Sequence, residues 1–208
     1  ALCHAFSVVS LGGFSTHDAS IGYFNSDAIE LIAVVFMLLS GVNFALHFLA
    51  WNRRSLVGYW HDSEFRFYLT LMATTTTLVC LGLYFTGTYA DWSESFLQGL
   101  FHTVSIATTT GFSTASFYDW PIFLGILLIF SSFVGGCAGS TGGGIKVIRF
   151  LLLIKQGLRE IDRLIHPNAQ IPVRVGGRTV NHRVVDAVWG FFSLYVACFT
   201  LMYLALAA

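Results

Sequence analysis

The sequence predicts an all-α integral membrane protein. Of its 208 residues, 55% are hydrophobic and 11% are charged, whereas about 25% of the residues in soluble proteins are charged. Four apolar stretches are each long enough to cross a hydrocarbon core of about 30 Å as a helix, namely 27–50, 66–89, 121–145 and 184–208. A soluble enzyme or a secreted module is excluded, because polar residues could not cover so much apolar surface.

The charge pattern predicts the orientation of these spans. All 11 basic residues lie in 53–66 and 146–183, which the positive-inside rule assigns to the cytoplasm. The outward segments 1–26 and 90–120 hold no Lys or Arg, and they and the start of the next helix carry Asp18, Asp91, Glu94, Asp119, Asp27 and Glu30. Such an acidic vestibule concentrates cations. The net charge of zero gives no sign of a nucleic-acid partner.

The ends of the chain suggest a part of a longer membrane protein. The chain starts at Ala1 in mid-pattern, without a basic segment before an apolar core, so we expect a segment of something longer and no signal peptide. The four cysteines are widely spaced in mostly apolar surroundings, and we interpret them as packing residues.

A repeat joins the two outward segments. Shifting the chain by 98 positions lays 4–16 on 102–114, with six identities in thirteen positions, and a transmembrane stretch follows each copy. The run 95–107 is too short to span a membrane. Its non-helical continuation, 108–114, is tolerated at membrane depth only beside a polar cavity. Both copies therefore predict a short re-entrant helix followed by a cavity lining, the alternative being an external Thr/Gly-rich turn.

The geometry of such a loop favours a cation. The negative end of the short helix points at the cavity, and backbone carbonyls of an extended segment can replace the water shell of an ion. Gly13 and Gly111 permit the backbone conformation that turns a carbonyl inward. This is the outline of a selectivity filter.

The segments Ser10–Asp18 and Thr108–Thr114 resemble the filter loops of the Trk/Ktr/HKT potassium-transporter superfamily, with the closest likeness to TrkH-type subunits. The resemblance implies a pseudo-fourfold repeat of helix, pore loop and helix, here as a partial chain. Its expected divisions are a pore loop and second helix (1–50), a cytoplasmic linker (51–65), a complete repeat (66–165), a cytoplasmic hairpin (166–183) and the first helix of the next repeat (184–208).

The resemblance also implies the potassium ligands. They are backbone carbonyls, carried over to Leu11, Gly12, Gly13, Thr109, Thr110 and Gly111. Leu11 departs from the family pattern, since a threonine is expected there as at Thr109. Because carbonyls coordinate the ion, we expect this side-chain difference to matter little.

A glycine-rich break interrupts the third span. Six glycines occupy ten residues, 135–144, just before Lys146, and glycine weakens a helix by about 1 kcal/mol relative to alanine. We expect a flexible intramembrane loop below the filter, and the resemblance implies that it occludes the pathway. The gate residues would be Gly139, Gly142, Gly143 and Gly144, with Lys146 near the cytoplasmic exit.

Two other interpretations of this break were weighed. A phosphate-binding loop starting at Gly139 requires lysine at 145, where isoleucine stands. A packing kink between close helices remains the alternative to a gate.

The cytoplasmic arm predicts a surface for a partner. Residues 146–165 form an amphipathic basic helix, Pro167 and Asn168 end it, and 171–180 predicts a hairpin with a Gly-Gly turn. The resemblance implies a TrkA-like cytosolic nucleotide-binding ring that contacts 155–183. The alternative is a solvated basic loop that only fixes topology.

Together these features predict potassium transport across the bacterial inner membrane by a multi-pass protein. We expect no covalent chemistry, no organic cofactor, potassium at the filter as the only metal, and a homodimer in the lipid bilayer. Channel-like flux and coupled symport both stay open. The alternatives are a membrane-embedded enzyme, with His102 or the pair His17 and Asp18 as acid and base, and a structural membrane subunit.

Overall fold

The computed structural model describes residues 1–117, 119–166, 169 and 171–207. The chain divides into two compact units, 1–147 and 148–208. The helices of the first unit are α1 (Leu2–Ser10), α2 (Asp27–Ser40), α3 (Phe44–Arg53), α4 (Val57–His61), α5 (Ser63–Phe85), α6 (Trp92–Ala107) and α7 (Ile122–Val134), with a 3-10 turn at Ser20–Phe24. Helix α8 (Val147–Ile165) begins at the boundary, and β1 (Arg174–Val175), β2 (Arg178–Thr179) and α9 (His182–Ala207) follow it.

The two sequence repeats fold alike and share a core. Helices α1 and α6 are the short helices of the two copies, and each is followed by an irregular segment and then by a further helix. Apolar side chains from both copies form one buried cluster, made of Val8, Leu11, Ile21, Ala33, Val34, Met37, Phe101, Val104 and Phe112. The copies are therefore held side by side by apolar burial.

The prediction of one continuous helix over 27–50 is wrong. Helices α2 and α3 meet at an angle of 92°. The side chain of Asn43 accepts a hydrogen bond of 2.9 Å from the amide of Ala45, which starts a new helix. A Cβ at Gly41 would overlap the hydroxyl of Tyr68, so a larger residue at this bend would require Tyr68 to move.

The predicted spans 66–89 and 184–208 are found with different bounds, as α5 and α9, whereas the helix in 121–145 is shorter than a span. Helix α5 starts at Ser63 because the Asp62 carboxylate accepts a bond of 2.7 Å from the amide of Phe65. Helix α7 has 13 residues, which at 1.5 Å per residue is roughly 20 Å, too short to cross the core alone. Within the described ranges, α5 and α9 are long and apolar enough to span, and the bent α2–α3 pair is a third candidate.

The second unit confirms the predicted helix and hairpin. Strands β1 and β2 pair antiparallel, with Arg174 opposite Thr179, and Gly176 and Gly177 in the turn have positive φ. The ammonium of Lys155 donates to the carbonyl of Arg174 at 2.6 Å, which ties α8 to the hairpin. Pro167 and Asn168, expected to end α8, lie outside the described residues.

The polar face of α8 carries a small charge network. The guanidinium of Arg159 lies 3.0 Å from a carboxylate oxygen of Glu160, and Arg163 lies 3.4 Å from the other oxygen. The hydrogen bond from Arg159 and the nearby positive charges lower the pKa of Glu160. The Glu160 carboxylate therefore stays ionised, and its negative charge offsets only part of the positive charge of the helix.

Candidate functional site

The segments that follow α1 and α6 have the same unusual backbone. Leu11 and Gly13 have φ of 53° and 68°, and Thr109 and Gly111 have φ of 63° and 86°. In both copies the residue between them, Gly12 or Thr110, lies outside this left-handed region. Alternating signs of φ turn successive carbonyls toward one side of the chain, whereas an ordinary strand points them alternately to both sides. These two segments are called the filter strands below.

Matching hydrogen bonds hold the two filter strands. In each copy, two backbone bonds at matching positions run from the residues that follow the short helix to its last turn. They run from Leu11 to Val8 (3.2 Å), from Gly12 to Ser7 (2.9 Å), from Thr109 to Ile106 (3.0 Å) and from Thr110 to Ser105 (2.8 Å). Each donor and acceptor of the first copy lies 98 positions before its counterpart, so the conformation belongs to the repeated unit.

The filter strands lie against each other. A Cβ at Gly13 would overlap the carbonyl oxygen of Thr110. Further out, the amide of Gly22 donates to the carbonyl of Ser113 at 3.3 Å, and the amide of Ser113 donates to the hydroxyl of Ser20 at 3.3 Å. The structure thus brings the predicted residues of the two copies together.

The histidines brace the filter strands. The ring nitrogens of His102 lie 3.0 Å and 3.2 Å from the carbonyl oxygens of Gln98 and Ala115, and the residue is fully buried. In the first copy, Nε2 of His4 lies 2.9 Å from the hydroxyl of Ser15. Both rings tie the short helix to the chain that leaves the filter strand.

The outer acidic residues fall into two groups. Asp18, Asp27, Asp91, Glu94 and Asp119 are exposed, as expected for a vestibule. Glu30 differs, because it is 5% exposed. His17, the neighbour of Asp18, stacks on Tyr23 with ring centroids 3.7 Å apart, so its ring packs within the outer turn.

The glycine-rich segment forms a closed loop. Helix α7 ends at Gly135, whose φ of 71° and ψ of −154° lie in a region that is nearly restricted to glycine. The loop returns to its starting point, where Ile145 donates to Phe133 (2.8 Å), Lys146 to Val134 (3.0 Å) and Val147 to Gly136 (3.1 Å). The segment 135–146, called the gate loop below, therefore has both ends fixed by backbone hydrogen bonds.

One side of the gate loop is fixed at the α2–α3 bend. The amide of Cys137 donates to the carbonyl of Gly41 at 2.8 Å, and the amide of Phe44 donates to the carbonyl of Gly139 at 3.1 Å. The amide of Ala138 donates to the carboxylate of Glu64 at 2.6 Å. At the bend, the carbonyl of Gly41 and the amide of Phe44 are thus available to bond with the loop.

The other side of the gate loop contacts the filter strands. The amide of Gly143 donates to the Thr109 hydroxyl at 2.6 Å, and the Thr141 hydroxyl donates to the carbonyl of Val9 at 3.0 Å. A Cβ at Gly142 would lie 3.0 Å from the carbonyl oxygen of Thr108 and 3.3 Å from Cδ1 of Leu11. The side chains at 11 and 109 therefore lie against the loop in different ways, and our expectation that their difference matters little stays a prediction.

Lys146 closes the gate loop from inside. Its φ of 80° is unusual for a residue with a Cβ. The ammonium donates to the carbonyl of Gly142, and lies 3.4 Å and 3.5 Å from the carbonyl and hydroxyl oxygens of Ser140. The side chain therefore turns back onto the loop, and its expected position near the cytoplasmic exit stays a prediction.

Sequence reasoning missed the residues that receive the loop. Gly41 and Asn43 carried a signal, since a glycine and an N-cap residue inside an apolar run can mark a helix break. Glu64 carried a weaker one, as an acidic residue beside an apolar span. Its contact with Ala138 joins positions 74 residues apart, which no local pattern reveals.

Comparisons with known proteins match the whole chain. The family model TrkH, described as a cation transport protein, matches residues 1–208. The Trk system potassium uptake protein TrkH of Vibrio parahaemolyticus is 53% identical over 210 residues, covering 100% of this chain and 43% of the relative. Its counterpart in Escherichia coli K12 is 50% identical over 208 residues, with the same coverage.

A solved structure agrees with these matches. The crystal structure of the potassium transporter TrkH from Vibrio parahaemolyticus superposes with a TM-score of 0.94 at 53% identity, covering 97% of this chain and 44% of that chain. The chain therefore spans less than half the length of the relatives that it matches.

Proposed function

Because the chain belongs to the TrkH family of cation transport proteins, we propose that it lines part of a potassium pathway across the bacterial inner membrane. The carbonyls proposed as ligands are those of Leu11, Gly12, Gly13, Thr109, Thr110 and Gly111. The observation that carries this proposal is the backbone shared by the two filter strands, with positive φ at matching positions 98 residues apart.

The surroundings of the filter strands support cation binding. Helices α1 and α6 end at Ser10 and Ala107, immediately before the strands, so the negative ends of both helix dipoles point at the site. Carbonyl oxygens then replace the water lost by a potassium ion. The exposed outer carboxylates raise the local cation concentration before entry.

The gate loop is proposed to close this pathway on its inner side. Gly139, Gly142, Gly143, Gly144 and Lys146 form the closure. Support comes from contacts of the loop with the first residues of both filter strands, Leu11 and Thr109. A loop at this position must move before a cation can leave the filter toward the cytoplasm.

Transport is proposed to proceed without covalent chemistry. His102, a candidate acid or base in the enzyme alternative, is enclosed between two backbone carbonyls, and His17 is stacked on Tyr23. His102 instead supports the filter strand, because its counterpart His4 makes a similar hydrogen bond in the other copy.

Partners are proposed on the cytoplasmic side. The relatives are named as proteins of a Trk system, which points to several components. We place a TrkA-like nucleotide-binding ring on 155–183, and the full-length protein as a homodimer. Support for the ring contact comes from exposed apolar side chains on α8, where Leu158, Ile161 and Leu164 are 58%, 56% and 84% exposed.

Rubidium flux into liposomes that hold the full-length protein tests the filter and the gate. Gly111→Ser forces a side chain onto a residue with φ of 86° and is expected to reduce the preference for potassium over sodium. Deletion of 139–144 is expected to raise resting flux. The filter and gate assignments are both wrong if neither change alters a measured wild-type flux. The absence of wild-type flux under every regulatory condition would favour the enzyme or structural alternative.

Thr109→Val tests the bond between the filter strand and the gate loop. The change keeps the shape of the side chain but removes the acceptor for the Gly143 amide. A hydrogen bond of about 1 kcal/mol corresponds to roughly fivefold in an equilibrium, so we expect resting rubidium flux to rise by about that factor. Thr109→Ser keeps the oxygen and is the control, and equal flux in both variants contradicts the role of the bond.

A further inference from the structure

The gate loop binds the ammonium group of its own lysine, Lys146. The ammonium of Lys146 is surrounded by the carbonyl oxygen of Ser140, the hydroxyl of Ser140 and the carbonyl oxygen of Gly142. A cluster of neutral oxygens around a monovalent cation is also the ligand set that potassium uses in proteins. An ammonium group and a potassium ion carry the same charge and are similar in size.

The loop orients these oxygens independently of the lysine. The Ser140 hydroxyl donates its proton to the carbonyl of Cys137 at 2.6 Å, which leaves its lone pairs for a cation. The Ser140 amide donates to the same carbonyl at 3.2 Å. Nearby, the Glu64 carboxylate bonds to Ala138 and adds negative potential beside the loop.

The location puts this cluster next to the filter. Gly142, which supplies one oxygen, lies against the carbonyl of Thr108 and the side chain of Leu11. The neighbouring Gly143 bonds to Thr109. These contacts are at the inner ends of both filter strands, where a cation arrives after it leaves the proposed carbonyl ligands.

The backbone of Lys146 limits how far the ammonium can move from the loop. The residue adopts φ of 80°, although this region costs a residue with a Cβ about 1 kcal/mol or more. Its amide is fixed to the carbonyl of Val134 at 3.0 Å. The side chain therefore starts at the end of the loop and reaches back to its centre.

We propose that the oxygens of Ser140 and Gly142 form an inner site for a monovalent cation, and that the Lys146 ammonium fills this site as a tethered substitute for potassium. When the side chain withdraws, a permeating potassium ion takes its place. This inference rests on the proposed potassium pathway and adds a binding site to it. It makes Lys146 an internal competitor of the transported ion.

Chemical rescue in liposomes that hold the full-length protein tests the site. Lys146→Ala empties the site and is expected to raise resting rubidium flux by about tenfold, the value of a hydrogen bond to a charged group. Soluble n-butylammonium should then enter the vacated site and inhibit flux in Lys146→Ala, but not in wild type. Arg53→Ala, which removes an exposed cation from the end of α3, should behave as wild type.

A second pair of variants separates this site from a general loosening of the loop. In the Lys146→Ala background, Ser140→Ala removes one ligand and should raise the n-butylammonium concentration for half inhibition several-fold. Ser132→Ala is the matched control, because its hydroxyl bonds to Ile129 within α7. Lys146→Met keeps the apolar stem and provides the same flux test if Lys146→Ala does not fold.

Each outcome has one meaning. Raised flux that n-butylammonium inhibits only without the lysine, and less so without the Ser140 hydroxyl, supports the inner site. Flux that n-butylammonium leaves unchanged in the lysine variants, or inhibits equally in wild type, overturns it while the potassium pathway stands. Absence of rubidium flux in wild type and all variants overturns the proposed function itself.

Discussion

Gly13→Ala in the full-length protein is expected to abolish selective potassium flux. The new Cβ would overlap the carbonyl oxygen of Thr110, so the change deforms both filter strands at once. The residue must also keep φ of 68°, which costs an L-residue about 1–2 kcal/mol, or roughly tenfold in an equilibrium. Rubidium flux, measured with and without competing sodium, should fall by more than this factor and lose its preference.

Two neighbouring glycines are the controls for this prediction. A Cβ at Gly12 would meet side-chain atoms of Phe14 at 3.1 Å and of Ser10 at 3.2 Å, and Gly12 does not have positive φ. Gly111→Ala adds backbone strain, with no atom of the described ranges within 4 Å of its Cβ. Loss of flux should therefore be largest for Gly13→Ala and smallest for Gly12→Ala. The reverse order would contradict the close approach of the two strands.

Gly135→Ala is expected to displace the gate loop and raise resting flux. A Cβ would overlap the carbonyl oxygen of Gly143. The backbone conformation of Gly135 is also one that costs other residues about 1–3 kcal/mol, equal to roughly tenfold to a hundredfold. Gly125 lies within α7, the helix that ends just before Gly135, and no described atom is within 4 Å of its Cβ, so Gly125→Ala should leave flux unchanged.

Thiol labelling reports the same displacement directly. Two cysteines are buried in different places. Cys137 lies in the gate loop and is 1% exposed, and Cys80 lies in α5 and is 3% exposed. Peptide mass spectrometry after brief treatment with a small maleimide should show faster labelling of Cys137 in Gly135→Ala, with Cys80 still protected. Labelling of both thiols would indicate general unfolding, and protection of both would show that the loop tolerates the change.

The sequence predicted the parts of the fold that depend on length and repetition. The run before Ala107 was too short to cross the bilayer, and the copy around His4 showed that the same element occurs twice. The structure confirms both short helices, α1 and α6, as well as α8 and its hairpin. The roles of the filter strands and the gate loop stay predictions that flux measurements decide.

The remainder depends on contacts between distant positions. A Cβ at Gly41 would overlap the hydroxyl of Tyr68, a contact that no local pattern reveals, and hydropathy alone favours a continuous helix at this position. The bond between Glu64 and the gate loop is equally invisible in a local pattern. The unusual backbone of the filter strands could be predicted from their glycines, but the residue that each side chain contacts could not.

The different side chains at Leu11 and Thr109 have an evolutionary consequence. The two copies share the backbone conformation that we propose for ion coordination, while their side chains at this position differ. In the first copy the apolar side chain of Leu11 lies against the gate loop at Gly142, and in the second the hydroxyl of Thr109 accepts a hydrogen bond from the amide of Gly143 in the same loop. Mutations at the two positions should therefore show epistasis, because exchanging Leu11 and Thr109 moves the hydroxyl that bonds to the gate loop onto the other filter strand, although the amino-acid composition is unchanged.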